Sequence, residues 1–485
     1  MSVPFRAALL PLALVALAVL TRASVLGDLA YFNDESFYWL AARRMHQGQW
    51  LYAEVWDRKG PALFATWYVA VPFGSGLAAA RGLALAFAVA TALALARLAR
   101  AMAGEPAGWA AGCLYLAALP MFVGAGGQPQ VFYNLWMALA VLIVRDGADR
   151  GDRTVRLHLA MALAGLALAY KQTAICEAVF LGLWTLWRRR RLGMGLPALA
   201  RLALTLMAAG ATPLLACAAV FAIGGHFDAL WHAMVTSNLV KTYDPWGDHW
   251  SRARALATAA APLLALALPG LALGPTAASA SRPRDHLLVA GWCLAALAGV
   301  AVIPNLYADY MLPLIAPLAV AAGCAAARRP LGPVLAVLVG AIYLAASPAL
   351  EFTARRAASA EVTETARRIA ARIPHPRLLV YEGPASLYGL VGREPPGPLL
   401  HPFHLNFAFE ADTAPVDTAA QMRAILAWRP QVVVAYTHYD PRNENPKTAA
   451  LLRDYLRRCR PWFDARYHEI AADQPYRVWG DCAVR

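Results

Sequence analysis

Residues 31–61 read YFNDESFYWLAARRMHQGQWLYAEVWDRKGP. Two adjacent carboxylates, Asp34 and Glu35, open the stretch among aromatic side chains. An acid beside two bases, Asp57, Arg58 and Lys59, closes it just before Gly60 and Pro61. One apolar run precedes the stretch over about 7–27, and another follows from about 77. The fold turns on whether this segment belongs to a soluble core or links two membrane spans.

Composition decides for the membrane. The chain has 485 residues, 59% hydrophobic and only 15% charged, which is too apolar for an ordinary soluble domain. Apolar runs of about the 17–25 residues needed to cross a bilayer recur up to residue 349. We place eleven spans at about 7–27, 77–99, 106–125, 129–145, 157–172, 175–188, 201–224, 254–274, 286–304, 309–327 and 331–349. The first has Arg6 ahead of its apolar run but no small-residue cleavage site before a soluble domain, so it reads as a retained helix.

Basic clusters follow the even-numbered spans: RLARAM after the second, RDGADRGDRTVR after the fourth, RRRR at 188–191 after the sixth, SRPRDH after the eighth and ARR after the tenth. Because Lys and Arg accumulate on the cytoplasmic side, the N-terminus is expected inside and the C-terminal region outside. Orientation thus accounts for much of the net charge of +14 without nucleic acid as a partner. The expected setting is a bacterial-type inner (plasma) membrane.

From about 351 the texture changes. Short apolar runs, RLLVYEG and QVVVAYTH, alternate with helix-like stretches, AAQMRAILAWR and AALLRDYLRRC, which predicts an extracytoplasmic α/β domain over 351–485. The membrane domain is 1–350, with amphipathic helices in its first external loop, 28–76. Five cysteines fall within spans, which leaves Cys459 and Cys482 free to pair or not in an oxidising compartment.

Within the first loop, SFYWLAARRMHQGQW alternates apolar and basic residues at helical spacing, with tryptophans suited to a membrane interface. Asp34 and Glu35 have two readings: a cap and first-turn charge at the start of that helix, or a carboxylate facing a cleft. Lys59 is either an anchor at the membrane surface or a point charge for a lipid phosphate. The same two readings apply to Lys171, at the outer end of the fifth span with Glu177 nearby.

With a first span, an external DE pair and then FY, AARRM, WLY and WDRKGP, the chain resembles the polyprenyl-phosphate-dependent glycosyltransferases of the GT-C fold. The resemblance is to the group holding the protein O-mannosyltransferases and the lipid A aminoarabinose transferase. LALAYKQTA at 166–174 and YADYMLPLIAPLAVAAG at 307–323 are similar to further segments of that family. The resemblance implies that Asp34 is the catalytic carboxylate and that Glu35 supports the acceptor site. It implies that Lys59 meets the carrier phosphate, and Arg58 and Lys171 are candidates for further cations beside the leaving group; Tyr307, Asp309 and Tyr310 read as an aromatic belt or as lining of the donor cavity, with Asp57 a further candidate for that lining.

The implied activity is transfer of a hexosyl or pentosyl unit from a polyprenyl-phosphate sugar to an acceptor hydroxyl on an envelope lipid, glycan or protein, with inversion, among membrane lipids. Gly60 separates Lys59 from the proline that directly follows the family's lysine. The second external loop carries neutral Gln128, Gln130 and Asn134 where carboxylates are frequent. Divalent cations favour carboxylate oxygens, so metal dependence stays open. His226, His232, Lys241, Tyr243, Asp244, Asp248 and His249 of the fourth external loop read chiefly as an interfacial helix and turn, and Glu382, His401 and His404 as capping, pairing or solvated groups. From other classes, a secondary transporter or a non-catalytic polysaccharide assembly factor also fits a chain of many spans.

Overall fold

The computed structural model describes residues 3–73, 76–147, 154–243, 246–272, 283–411, 413–437, 443–469 and 472–482. In chain order the helices are α1 Val3–Leu20, α2 Asn33–His46, α3 Pro61–Ala70, α4 Leu77–Ala103, α5 Glu105–Ala118, α6 Pro129–Gly147, α7 Thr154–Tyr170, α8 Ile175–Arg191 and α9 Leu196–Ile223. Then come α10 Phe227–Trp231, α11 Ser237–Val240, α12 Trp246–Ala272, α13 Pro283–Ala301, α14 Leu312–Ala326, α15 Leu331–Ala345 and α16 Phe352–Arg372. The remainder are α17 Ser386–Leu390, α18 Pro402–Asn406, α19 Thr418–Ala427 and α20 Pro446–Leu456, with strands β1 Leu378–Val380, β2 Val432–Tyr436, β3 Arg460–Glu469 and β4 Ala472–Gly480.

Each apolar run read from the sequence is occupied by a helix. Among the described residues, five helices are long and apolar enough to cross a membrane, and Leu9–Leu20, Thr154–Tyr170 and Leu331–Ala345 are shorter apolar helices. The chain forms two compact units.

The first unit, Met1–Ala23, Arg81–Cys217 and Pro245–Leu350, is helical. Its centre is α14, buried at every residue and packed by α5, α6, α12, α13 and α15. Small side chains permit this. Gly270 of α12 and Gly323 of α14 each lie where a Cβ would strike a neighbouring backbone carbonyl, of Ala321 and Ala107 respectively. Helices that exclude water by close backbone approach gain from dispersion where burial from lipid gives little.

The second unit gathers Ser24–Ala80, Ala218–Asp244 and Glu351–Arg485. Its sheet has the order β1-β2-β4-β3: β1 and β2 are parallel, with Leu378 opposite Val432, and the β3–β4 hairpin adds on antiparallel. The two apolar runs form β1 and β2 because Leu378–Val380 and Val432–Ala435 are buried without alternation, as in a covered parallel pair. A disulfide joins Cys459, just before β3, to Cys482, just after β4. Closing that loop stabilises the unit by about 3 kcal/mol.

Helix α2 departs from the expected interfacial helix. Phe37, Tyr38, Leu40, Ala41 and Ala42 are all fully buried, and Leu40 joins the core formed by Val362, Ile369, Leu378 and Val432. The basic residues that looked solvent-facing are paired instead: Arg43 with Glu394 at 2.9 Å, and Arg44 with the carbonyl of Gly397 at 2.9 Å. The fourth loop also differs. There α12 begins at Trp246, not near 254. Asp244 lies outside the described residues.

Candidate functional site

The backbone of the second unit brings the two ends of the opening stretch together. Asn33 starts α2 and is clamped from the sheet side. Its side chain donates to the Gly383 carbonyl at 3.2 Å and accepts from the Ala385 N–H at 2.9 Å, in the loop after β1. Its own N–H donates to Glu469 at 2.6 Å. The cap position itself is Phe32, with no side-chain cap bond, so Asp34 is not spent on capping.

Asp57 holds the other end. One carboxylate oxygen accepts the N–H groups of Arg58 and Lys59, each at 2.6 Å, a local turn of the kind aspartate favours. Gly60 is then extended and Pro61 enters the first turn of α3, where its missing N–H costs nothing. Tyr52 O–H donates to the Lys59 carbonyl at 2.6 Å. Gly60 does not prevent the lysine from reaching the acid: Lys59 Nζ lies 3.2 Å from Asp34 Oδ2 and 3.8 Å from Asp57 Oδ2.

The third member comes from the C-terminal region. His401 Nε2 is 3.1 Å from Asp34 Oδ1. Because its Nδ1 accepts the Phe403 N–H at 3.1 Å, the neutral imidazole carries its proton on Nε2 and donates it to Asp34. Tyr38 O–H adds a 3.2 Å bond to Asp34 Oδ2.

Burial alone would raise the Asp34 carboxyl, but Lys59 and His401 outweigh it and hold the group well below the usual carboxylate range. Burial likewise works against the Lys59 charge, and Asp34 and Asp57 more than restore it, so its value is raised. His404, with Nε2 3.8 Å from Asp57, is pushed well below the usual histidine value, first by burial and then by His401. It is neutral at physiological pH.

Arg58 turns elsewhere. It pairs with Glu410, whose second cation is Lys241 at 3.4 Å. Burial, and then the charge of Arg58, lower Lys241 to about 8. Glu35 is fully buried and close enough to Glu469 for their charges to interact. Burial, reinforced by Asp34 and Glu35 against the Asn33 hydrogen bond, lifts Glu469 to about 7.

The helical unit holds a separate polar cluster. Lys171 Nζ lies 3.2 Å from Asp309 Oδ2 and 4.0 Å from the centre of the Tyr310 ring. Gln130 donates to the same carboxylate oxygen at 2.8 Å, and Tyr307 meets Tyr310 edge to face at 5.7 Å. Lys171 therefore pairs with Asp309, and Glu177 accepts the Trp292 N–H at 2.6 Å instead.

Of the further members of these clusters, His401 reads from the sequence as a capping, pairing or solvated group and both caps α18 and pairs with Asp34, Lys241 reads within an interfacial helix and turn, and Glu410 is not singled out. Among the described residues, no three or more His, Cys, Asp or Glu side chains are grouped to hold a metal ion.

No protein-family model matches the chain, and no curated protein matches it in sequence. Solved structures do. ArnT from Cupriavidus metallidurans bound to undecaprenyl phosphate superposes with a TM-score of 0.65 at 14% identity, covering 97% of each chain. The fold is of the GT-C type. The same ArnT in the apo state gives a TM-score of 0.63 at 16% identity, over 100% of this chain and 99% of the other. At such identity the likeness establishes a fold running the length of the chain, not its chemistry.

Proposed function

We propose that the protein is an integral-membrane glycosyltransferase that moves a hexosyl or pentosyl unit from a polyprenyl-phosphate carrier to an acceptor hydroxyl. The acceptor is an envelope lipid, glycan or protein at the external face of the membrane, and the anomeric centre inverts. The observation that carries this reading is Asp34, held between Lys59 and His401 at 3.2 and 3.1 Å while its side chain stays 21% exposed. A structural neighbour bound to undecaprenyl phosphate supports the lipid-phosphate donor.

A sugar on a polyprenyl phosphate already has a stable anion as its leaving group, so one base suffices. With Lys59 at 3.2 Å, Asp34 is a weak base. When the carrier phosphate takes the lysine, that Coulombic hold is lost and burial raises the Asp34 carboxyl. Asp34 thus becomes a competent proton acceptor for the hydroxyl only with the donor in place. His401 keeps one carboxylate oxygen oriented, leaving the other for the acceptor, and the ammonium of Lys59 stabilises the departing phosphate.

Arg58 adds positive potential beside Lys59, Asp57 fixes the turn, and Glu35 supports the start of α2. Lys171 stays with Asp309 in the helical unit, where Tyr307 and Tyr310 pack beside the pair, and Lys59 carries the phosphate contact.

The test is transfer from a radiolabelled polyprenyl-phosphate sugar pool in membranes, comparing wild type with Asp34→Asn at equal expression, with and without chelator. Product that disappears in the variant supports the reading, and the chelator arm decides the need for a metal. Equal product from both proteins removes it in favour of a transporter or assembly role.

A further inference from the structure

Away from the Asp34 cluster, the second unit contains a cavity of about 350 Å³. That lies within the range of roughly 300–1,000 Å³ usual for small-molecule sites. It sits at the carboxyl ends of the parallel strands β1 and β2, lined by Glu382 after β1, Tyr436 at the end of β2 and Thr437 after it, Arg453 of α20, and Arg477 and Trp479 of β4. Carboxyl ends of parallel strands are where open α/β sheets present ligand-binding loops.

The lining has the chemistry of a polyol site with no net demand for charge. Its guanidinium groups are already neutralised: Arg453 by Glu444 at 3.2 Å, and Arg477 by Asp464 through bonds of 2.5 and 2.8 Å. Paired in this way, they do not call for an anion. Arg477 also lies against the Trp479 ring, 5.6 Å from its centre.

Glu382 is buried, lines the cavity, and accepts the Tyr436 N–H at its Oε2 at 3.1 Å. Burial, aided by Glu444, lifts this carboxyl to about 7, so near neutrality it can accept or donate. Half-buried Tyr436 and Trp479 supply ring surface for the C–H faces of a sugar.

We propose that this cavity is a binding site for a neutral sugar ring, held by Glu382, Thr437 and the two arginines through its hydroxyls and by Tyr436 and Trp479 through its apolar face. The assignment rests on the lining alone and holds whether or not Asp34 performs transfer.

The test uses the full chain in lipid nanodiscs, where no glycoside detergent competes. Saturation-transfer NMR is recorded with glucose, galactose, mannose, N-acetylglucosamine and maltotriose, and with glucuronate and glucosamine as charged controls. At least one neutral sugar should give a signal, and Glu382→Gln and Thr437→Val should each weaken its affinity about tenfold at unchanged melting temperature. Hydrogen exchange should slow over 432–437 and 476–479 when that sugar is added. No signal from any neutral sugar, signals unmoved by both variants, or binding by the charged sugars alone would each overturn the proposal.

Discussion

Two lysine–aspartate pairs, both at 3.2 Å, occupy the two units of this protein. In the helical unit, Lys171 and Asp309 expose only 11% and 12% of their side chains, and the amide of Gln130 and the ring of Tyr310 take up the remaining capacity. In the other unit, Lys59 and Asp34 expose 26% and 21%, and the lysine has a second carboxylate, Asp57, within 3.8 Å. A buried pair with its hydrogen bonds satisfied locks its surroundings, and removing one member strands a charge. A half-open pair can exchange partners with a ligand at little cost. The same contact distance therefore describes a structural pair in one place and a responsive one in the other.

The strongest way to break this comparison is at Asp34. Asp34→Asn keeps the shape but removes the charge and puts an NH2 group where one oxygen accepted, and transfer should fall by about 10³-fold, with a lowered melting temperature at neutral pH. The variant has a pH signature as well. Because the folded protein holds the Asp34 carboxyl below its ordinary value, its contribution to stability is present above about pH 4 and is lost as pH falls below that. Stability of wild type relative to the variant should therefore rise with pH through the acid range in chemical denaturation. A flat difference would mean that the ion pairs at Asp34 do not form.

Next in size is Lys171→Met, which strands Asp309 and should destabilise the protein by about 3 kcal/mol. The loss should be read as a lowered melting temperature that Lys171→Met with Asp309→Asn partly restores. If the single variant keeps its melting temperature but loses transfer, Lys171 serves a ligand as Lys59 does, and the contrast between the pairs collapses. Lys59→Met should lower transfer about 100-fold with the KM for donor raised, and should lower the melting temperature by less than Lys171→Met does.

The smallest expected effect sharpens the role of His401. His401→Gln retains a donor toward Asp34 but not the ring geometry fixed by the Phe403 N–H, and transfer should drop about tenfold. The pH profile of kcat should keep its shape, since the imidazole is assigned to orientation and not to proton transfer. A profile that loses a limb in the variant would make His401 the base.

The disposition of the chain follows from local pattern to a large degree. Apolar runs became helices where they were read, because the alternative for a long apolar segment in lipid is an unsatisfied backbone. RLLVYEG and QVVVAYTH became adjacent parallel strands because continuous apolar runs demand cover on both faces. The hairpin β3–β4 was missed: its outer strand, β3, is largely exposed and carries polar residues, so it lacks a strong alternating signal.

Asp34, Asp57 and Lys59 were legible as chemistry-bearing residues because charges crowded among aromatics are costly unless used. His401 was not. It lies 367 residues from Asp34 in a short loop, and a lone histidine carries no local mark of its partner. Sequence alone determined where the apolar helices, the two strand-forming runs and the charged stretch at 31–61 fall, since hydrophobic period and composition act over neighbouring residues. Only the tertiary structure decided which charges meet, why α2 is buried, and that Arg58 turns to Glu410 while Lys59 turns to Asp34. Those outcomes depend on burial and on Coulomb energies between groups hundreds of residues apart, which no local pattern encodes.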